Sequence, residues 1–251
     1  MSLLCFFCMH PQSPANSLTS TTSTRRSVAV FDIDGTLFRS SLFVELVEAL
    51  IREGLFPPET RDAYASEERA WQERRGSYDA YLNMMIAAFM RHIKGVHYAD
   101  FARVAERVVE RNQYRLYTYT RDLLRSLKAQ GYYLLAISQS PKTILEKFCK
   151  GIGFDKVYGR IYALGPENRF TGEVVDLHLI ANKANILKRA LEKEPITLVG
   201  SVGVGDTESD IPFLEMVEEP ICFNPNLALY RHAKREAWKV VVERKDVVYY
   251  L

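Results

Sequence analysis

Residues 27–36 read SVAVFDIDGT, an apolar run that stops abruptly at two carboxylates, a glycine and a threonine. A continuous run of this length, with no polar alternation, suits a strand buried on both faces, as in a parallel sheet. Similar runs recur at 132–137 (YYLLAI), 196–199 (ITLV), 220–223 (PICF) and 238–242 (WKVVV). Between them, helical spacing occupies 120–130, 142–150 and 179–192, with Thr120 as a candidate N-cap and Gly131 just past the first of these helices. Strands alternating with helices predict an α/β fold with a parallel sheet and helices on both faces.

Residues 39–117 break that rhythm. They carry amphipathic helices in series and no strand-like alternation. Ser40 or Ser41 caps a helix bearing Leu42, Phe43, Leu46, Val47 and Leu50, which Gly54 and Pro57-Pro58 end. A polar helix with Tyr64 and Trp71 follows, then one with Tyr81, Met85, Phe89 and Ile93, then one with Phe101, Val104 and Val108. Four such helices predict an all-helical cap inserted after the first strand of a Rossmann-like sheet. The expected division is a leader at 1–26, a core at 27–38 and 118–251, and a cap at 39–117.

Lys and Arg total 33 and Asp and Glu total 31, a net charge of +2. So even a balance argues against a nucleic-acid binder, which needs a clustered basic excess. No apolar run approaches the ~18 residues of a membrane-spanning helix. The four cysteines (Cys5, Cys8, Cys149 and Cys222) are too few and scattered for a disulfide framework, so the expected compartment is the reduced cytoplasm. The leader is rich in Ser and Thr and holds no Asp or Glu, a composition that reads as a disordered extension rather than a secretory signal. Cys5 and Cys8 lack a second pair to complete a metal site.

Four features stand at the ends of predicted strands or beside them, where open α/β sheets place their sites. Asp32 and Asp34 offer one carboxylate for nucleophilic attack and one for proton transfer, and Gly35 permits a sharp turn. Ser138 follows YYLLAI, Lys183 lies in a helical segment, and Asp206 and Asp210 follow ITLVGSVGVG in a glycine-rich loop. Together they supply hard oxygen ligands for Mg²⁺, with a hydroxyl and an ammonium for phosphate oxygens.

In this order Asp32-x-Asp34-Gly35-Thr36, Ser138, Lys183 and Gly205-Asp206-x-x-x-Asp210 resemble the four motifs of the haloacid dehalogenase superfamily, in its phosphoserine phosphatase-like branch. The likeness spans about residues 27–242 and includes a hairpin near Phe170–Val174. It implies a phosphatase acting on a small phosphorylated metabolite. Asp32 would form an aspartyl-phosphate, and Asp34 would be the acid and base. Mg²⁺ would lie on Asp32, the Asp34 carbonyl and Asp206, with Asp210 in or next to its shell. Ser138, Lys183, Thr36 and the Gln139 backbone would hold the phosphoryl group or its loop. A phosphotransferase using the same intermediate and a silent phosphate-binding or Mg²⁺-binding protein remain the alternatives. Gln139 and Ser209 depart from the Gly and Asn frequent in that branch.

The remaining candidates read more plainly. His92, His97, His178 and His232 suit surface or capping positions. Tyr64, Trp71, Tyr78 and Tyr81 read first as a core stripe and second as lining for an organic leaving group. Arg39 suits either a second anionic group or a solvated hinge. The branch's Glu and Arg for a phosphoserine leaving group fall on Ser41 and Met85, neither able to pair with a charge. A less charged or more apolar leaving group is therefore expected, with free phosphoserine a poor substrate.

Overall fold

The computed structural model describes residues 25–251. The chain begins with β1 (Arg26–Phe31) and passes into four helices: α1 (Leu42–Arg52), α2 (Ala65–Gln72), α3 (Tyr78–Ile93) and α4 (Tyr98–Asn112). It returns through α5 (Thr118–Ala129), β2 (Tyr133–Pro141), α6 (Lys142–Ile152), β3 (Lys156–Leu164) and β4 (Phe170–Val175). Then come α7 (Leu177–Ile180), α8 (Lys183–Lys193), β5 (Ile196–Gly205), α9 (Ile211–Leu214), β6 (Glu219–Phe223), α10 (Leu227–Arg235), β7 (Lys239–Arg244) and β8 (Val247–Tyr250). Arg26 belongs to β1, where its guanidinium pairs with Asp155, so the strand starts inside the stretch assigned to the leader. Cys5 and Cys8 lie outside the described residues.

One eight-stranded sheet runs in the order β4-β3-β2-β1-β5-β6-β7-β8. The six central strands are parallel, while β4 and β8 close each edge as antiparallel hairpins, the first at the hairpin expected near Phe170–Val174. β1 is central: Val30 pairs with Leu135 of β2 on one side and Gly203 of β5 on the other. Alternate residues of β1 serve opposite faces, as the pleat requires. Ala29 and Phe31 join the cluster under α1, α3, α4 and α6, whereas Val28 and Val30 join that under α8, α9 and α10. Burial of each large apolar side chain contributes about 1.5–3 kcal/mol. The cap helices share the first cluster with the sheet: Phe89 of α3 packs on Phe43 and Phe101, and Phe38 on Phe148 of α6.

Local departures have identifiable causes. The helix expected to start at Thr120 starts two residues earlier. Its first free N–H groups, on Thr118 and Tyr119, donate to the Glu243 carboxylate of β7, a cap supplied from a distant part of the chain. Thr120 instead donates to the Thr36 carbonyl at 2.9 Å. The helix expected at 179–192 is two, and Asn182 caps the second by accepting from Ala184 N. β5 runs on to Gly205, beyond the expected 199. The β1–β5 register shifts after Ser27, where Gly200 adopts a positive φ of 67° and Val199 turns outward. Among the described residues no helix is long and apolar enough to cross a membrane.

Candidate active site

Because β1 pairs with β2 on one side and β5 on the other, the chain's connections diverge at its carboxyl end, leaving a crevice there. Asp32 is the first residue past β1, and its N–H donates to Val204 of β5. Asp206 is the first residue past β5. One carboxylate oxygen from each of Asp32, Asp206 and Asp210 lies within 4.8 Å of the others. Two glycines make this approach possible. Gly35 has φ of 81°, and a Cβ there would collide with the Asp206 carboxylate; a Cβ on Gly205 would meet Asp210.

Lys183, the first residue of α8, donates its ammonium to Asp32 Oδ1 and Asp210 Oδ1, each at 2.5 Å. Asp210 Oδ2 accepts from the N–H groups of Asp206 and Thr207, so one Asp210 oxygen holds the loop and the other holds Lys183. Burial raises the proton affinity of Asp32, with Asp210 and Asp34 adding to it against the pull of Lys183. Burial likewise raises that of Asp206, with the charges of Asp32 and Asp210 adding to it. Burial opposes the charge on Lys183, yet Asp210 and Asp32 outweigh it and hold the ammonium protonated. Three clustered carboxylates against one ammonium leave a deficit of positive charge. A hard divalent cation fits that donor set.

Asp34 occupies a different environment. Its Oδ1 accepts from the N–H of Leu42, at the start of α1, at 2.5 Å. Its Oδ2 accepts from Ser138 at 2.6 Å and from Ser140 at 2.8 Å. The two catalytic candidates are thus divided: Asp32 faces the ammonium and the other acids, while Asp34 is fixed by hydroxyls and a helix N-terminus. The Asp34 carboxylate lies outside the acidic trio, so its expected metal contact concerns the main-chain carbonyl.

Thr36, expected to hold the phosphoryl group or to orient its loop, is fully buried, and its hydroxyl donates to Asp206 Oδ1 at 3.0 Å. It is not among the residues that line the cavity above these groups. Gln139 does line the cavity, but its side chain accepts from Arg160 of β3 at 2.7 Å. Ser209 pairs with the Thr207 hydroxyl at 2.8 Å. Ser140 and Arg160 escaped sequence reasoning. Ser140 had a signal, because residues two apart on a strand share a face and Ser138 already pointed to the site.

A cavity of about 820 Å³ opens above these groups, walled by the strand ends and the cap. The aromatic stripe divides. Tyr64 is buried and donates to Glu48 at 2.6 Å, as a core residue, whereas Trp71, Tyr78 and Tyr81 line the cavity. Ser41 caps α1 and lines the cavity, while Met85 is fully buried in the core and lies off the cavity wall. Of the histidines, His97 accepts from Ala99 N as the cap of α4.

Comparisons with known proteins agree with this geometry. The family model described as haloacid dehalogenase-like hydrolase matches residues 29–215. A histidinol-phosphatase of Neisseria meningitidis serogroup C (strain 8013) is 26% identical over 225 residues, covering 86% of this chain and 98% of the relative. A phosphoserine phosphatase of Archaeoglobus fulgidus is 26% identical over 210 residues, covering 82% of this chain and 54% of the relative. Among solved structures, a Bordetella pertussis Tohama I protein of unknown function shares the fold with a TM-score of 0.68 at 20% identity, covering 86% and 98% of the two chains. A substrate-bound phosphoserine phosphatase shares it with a TM-score of 0.59 at 19% identity, covering 88% and 95%. The four strand-end motifs, the cap and the matched length converge on one statement: the chain belongs to the haloacid dehalogenase-like hydrolase family.

Proposed function

We propose that this haloacid dehalogenase-like phosphatase is a Mg²⁺-dependent enzyme that hydrolyses a small phosphomonoester through an aspartyl-phosphate on Asp32. The observation that carries this reading is the division of labour between Asp32 and Asp34. Two carboxylates in such different surroundings suit different chemical tasks. Asp32 Oδ1 is taken by Lys183, while Oδ2 has no hydrogen-bond partner among the described residues and is the oxygen available for attack on phosphorus.

In the first step the Asp32 oxygen–phosphorus bond forms as the bond to the alcohol oxygen breaks, and protonated Asp34 gives its proton to that leaving oxygen. In the second, water attacks phosphorus, Asp34 takes the water's proton, and the Asp32 carboxylate departs. Lys183 spends two of its three N–H donors on Asp32 and Asp210, leaving one for a phosphoryl oxygen. Ser138 donates to Asp34 here and turns to the phosphoryl group when substrate binds, with Ser140 retaining Asp34. Asp32, the Asp34 carbonyl and Asp206 would hold the Mg²⁺, with Asp210 in or next to its shell, and the ion would supply positive charge against the transferred group.

The relatives named for histidinol phosphate and phosphoserine support a small phosphorylated metabolite as substrate. Cys149 and Cys222 are buried and form no disulfide among the described residues, which supports a reduced, cytoplasmic setting. The test is release of inorganic phosphate from p-nitrophenyl phosphate, with EDTA and then with excess Mg²⁺. Chelation abolishes release and Mg²⁺ restores it; release that persists through exhaustive chelation refutes the metal assignment.

A further inference from the structure

The strand that carries Ser138 leaves the regular ladder where it reaches the site. β2 pairs with β3 at Ile137 and Tyr158, and pairing resumes at Pro141 and Arg160, so four steps along β2 match two along β3. The excess is a bulge over Ser138–Ser140. On a regular strand, residues two apart stand about 6.6 Å from each other. Here the Ser138 and Ser140 hydroxyls meet the same oxygen of Asp34, and the Ser140 N–H donates to the Ser138 hydroxyl at 3.0 Å. The bulge therefore sets both the hydroxyl assigned to the phosphoryl group and the seat of the acid and base.

A bulge gives up ladder hydrogen bonds and needs another hold. Two neighbouring residues of β3 supply it. Gly159 lets the strands press together, because a Cβ there would come within 3.0 Å of the Ser140 carbonyl oxygen and 2.9 Å of Lys142 Cα. Arg160 donates to the Gln139 side-chain oxygen at 2.7 Å, the only side-chain hydrogen bond from β3 to the bulge among the described residues. A guanidinium has donors and no acceptor, so Gln139 presents its amide oxygen and is fixed in one orientation.

Arg160 is costly where it stands. Its Nε is buried without a hydrogen-bond partner, and its charge has no ion-pair partner among the described residues. Asp34, Glu68, Asp79 and Glu208 line the same cavity, yet the guanidinium is bonded to a neutral amide. It also lies against Tyr162, where its charge works against the burial that pushes the phenol up to about 12. Packing alone favours an apolar side chain at such a place. We propose, resting on the phosphatase reading, that Arg160 is a positioning residue: through Gln139 it holds the Ser138–Ser140 bulge in the shape that seats Asp34 and presents Ser138 to the phosphoryl group. Its effect is then largest where the reaction leans on Asp34.

The experiment compares an alkyl phosphate, whose leaving alkoxide needs a proton from Asp34, with p-nitrophenyl phosphate, whose leaving anion is stable without one. Wild type, R160K, R160M, Q139L and the double variant of R160M with Q139L are assayed with Mg²⁺. R160M and Q139L each lower kcat/KM about 30-fold for the alkyl ester and about threefold or less for the aryl ester. R160K, which still donates to Gln139, loses less than about threefold on either. The double variant is no worse than either single one, because both break one link. Calorimetry of inorganic phosphate with Mg²⁺ gives a readout free of turnover: the two single variants and the double weaken binding by one shared factor, about three- to tenfold. Equal losses on the two esters, losses that multiply in the double variant, or wild-type values in R160M and Q139L overturn the proposal. Should R160M fail to fold, Q139L, at a half-buried position, carries the same comparison. A wild-type chain that releases phosphate from neither ester, with the shared loss of phosphate binding intact, refutes the hydrolytic reading and leaves the role of Arg160 standing.

Discussion

The floor and the wall of the cavity differ in how they are built. The floor is made where strands end: Asp32 and Asp206 each follow a strand directly, Lys183 opens a helix, and two glycines let their backbones close to within carboxylate contact. The floor's groups are bonded to one another, save for Asp32 Oδ2, and its three clustered acids still outnumber its one ammonium. The wall is made by side chains of α2 and α3, and its carboxylates, Glu68 and Asp79, lack ion-pair partners among the described residues. A constellation held in place by its own hydrogen bonds is suited to chemistry common to many substrates. A surface that leaves its charges unmet is suited to choosing among them.

The largest effect should come from the floor. D32N should lower kcat by at least about 10³-fold while leaving the melting temperature within a few degrees, because the nucleophile is lost and the pocket keeps its shape. Steady-state phosphate release and a thermal melt measure both, and near-wild-type turnover would break the covalent reading. Next, S140A removes a buried hydroxyl from Asp34 and should lower kcat by about 10–100-fold with little change in KM. As Ser140 positions the acid and base without touching substrate, the pH profile of kcat should move as well. A fall in activity with an unmoved profile would make Ser140 merely structural.

A smaller effect sharpens the contrast from the other side. L-phosphoserine and phosphoethanolamine differ by one carboxylate, and the α2–α3 wall offers it no cation among the described residues. The kcat/KM for phosphoserine should therefore be lower by about tenfold. A clear preference for phosphoserine would mean that Arg39 or Arg160 serves the leaving group. The smallest effect is on stability. Raised proton affinity means that the folded chain binds protons at Asp32 and Asp206 more tightly than the unfolded chain. The destabilisation that these carboxylates cause thus fades as pH falls through their folded values, and Mg²⁺ competes with the same protons. The rise in Tm on adding Mg²⁺ should be greater near about pH 8 than near about pH 5.5. Equal rises would place Mg²⁺ elsewhere.

The same contrast explains what the sequence revealed. The strand-end acids, Ser138 and Lys183 were readable because a strand that stops at a turn exposes its next residues at one edge of the sheet. Which way the Thr36 hydroxyl turns was not readable locally, because it depends on Asp206, 170 residues away. The start of α5 was misjudged for a like reason, since Glu243 supplies its cap from β7. β3 went unrecognised because Lys156 and Arg160 interrupt its apolar pattern, and Arg160 gains its place only through Gln139 of the neighbouring strand. The aromatic stripe could not be divided from its spacing. Tyr64 and Trp71 are separated by packing against Glu48 and the cavity, not by helical period.

The central claim is that phosphorus becomes bonded to Asp32. The most direct measurement is an acid quench during turnover of a radiolabelled phosphomonoester, followed by proteolysis and mapping of the label. The account predicts label on the peptide containing Asp32, released by hydroxylamine and absent from D32N. Label on a different peptide, or full turnover by D32N, would contradict it.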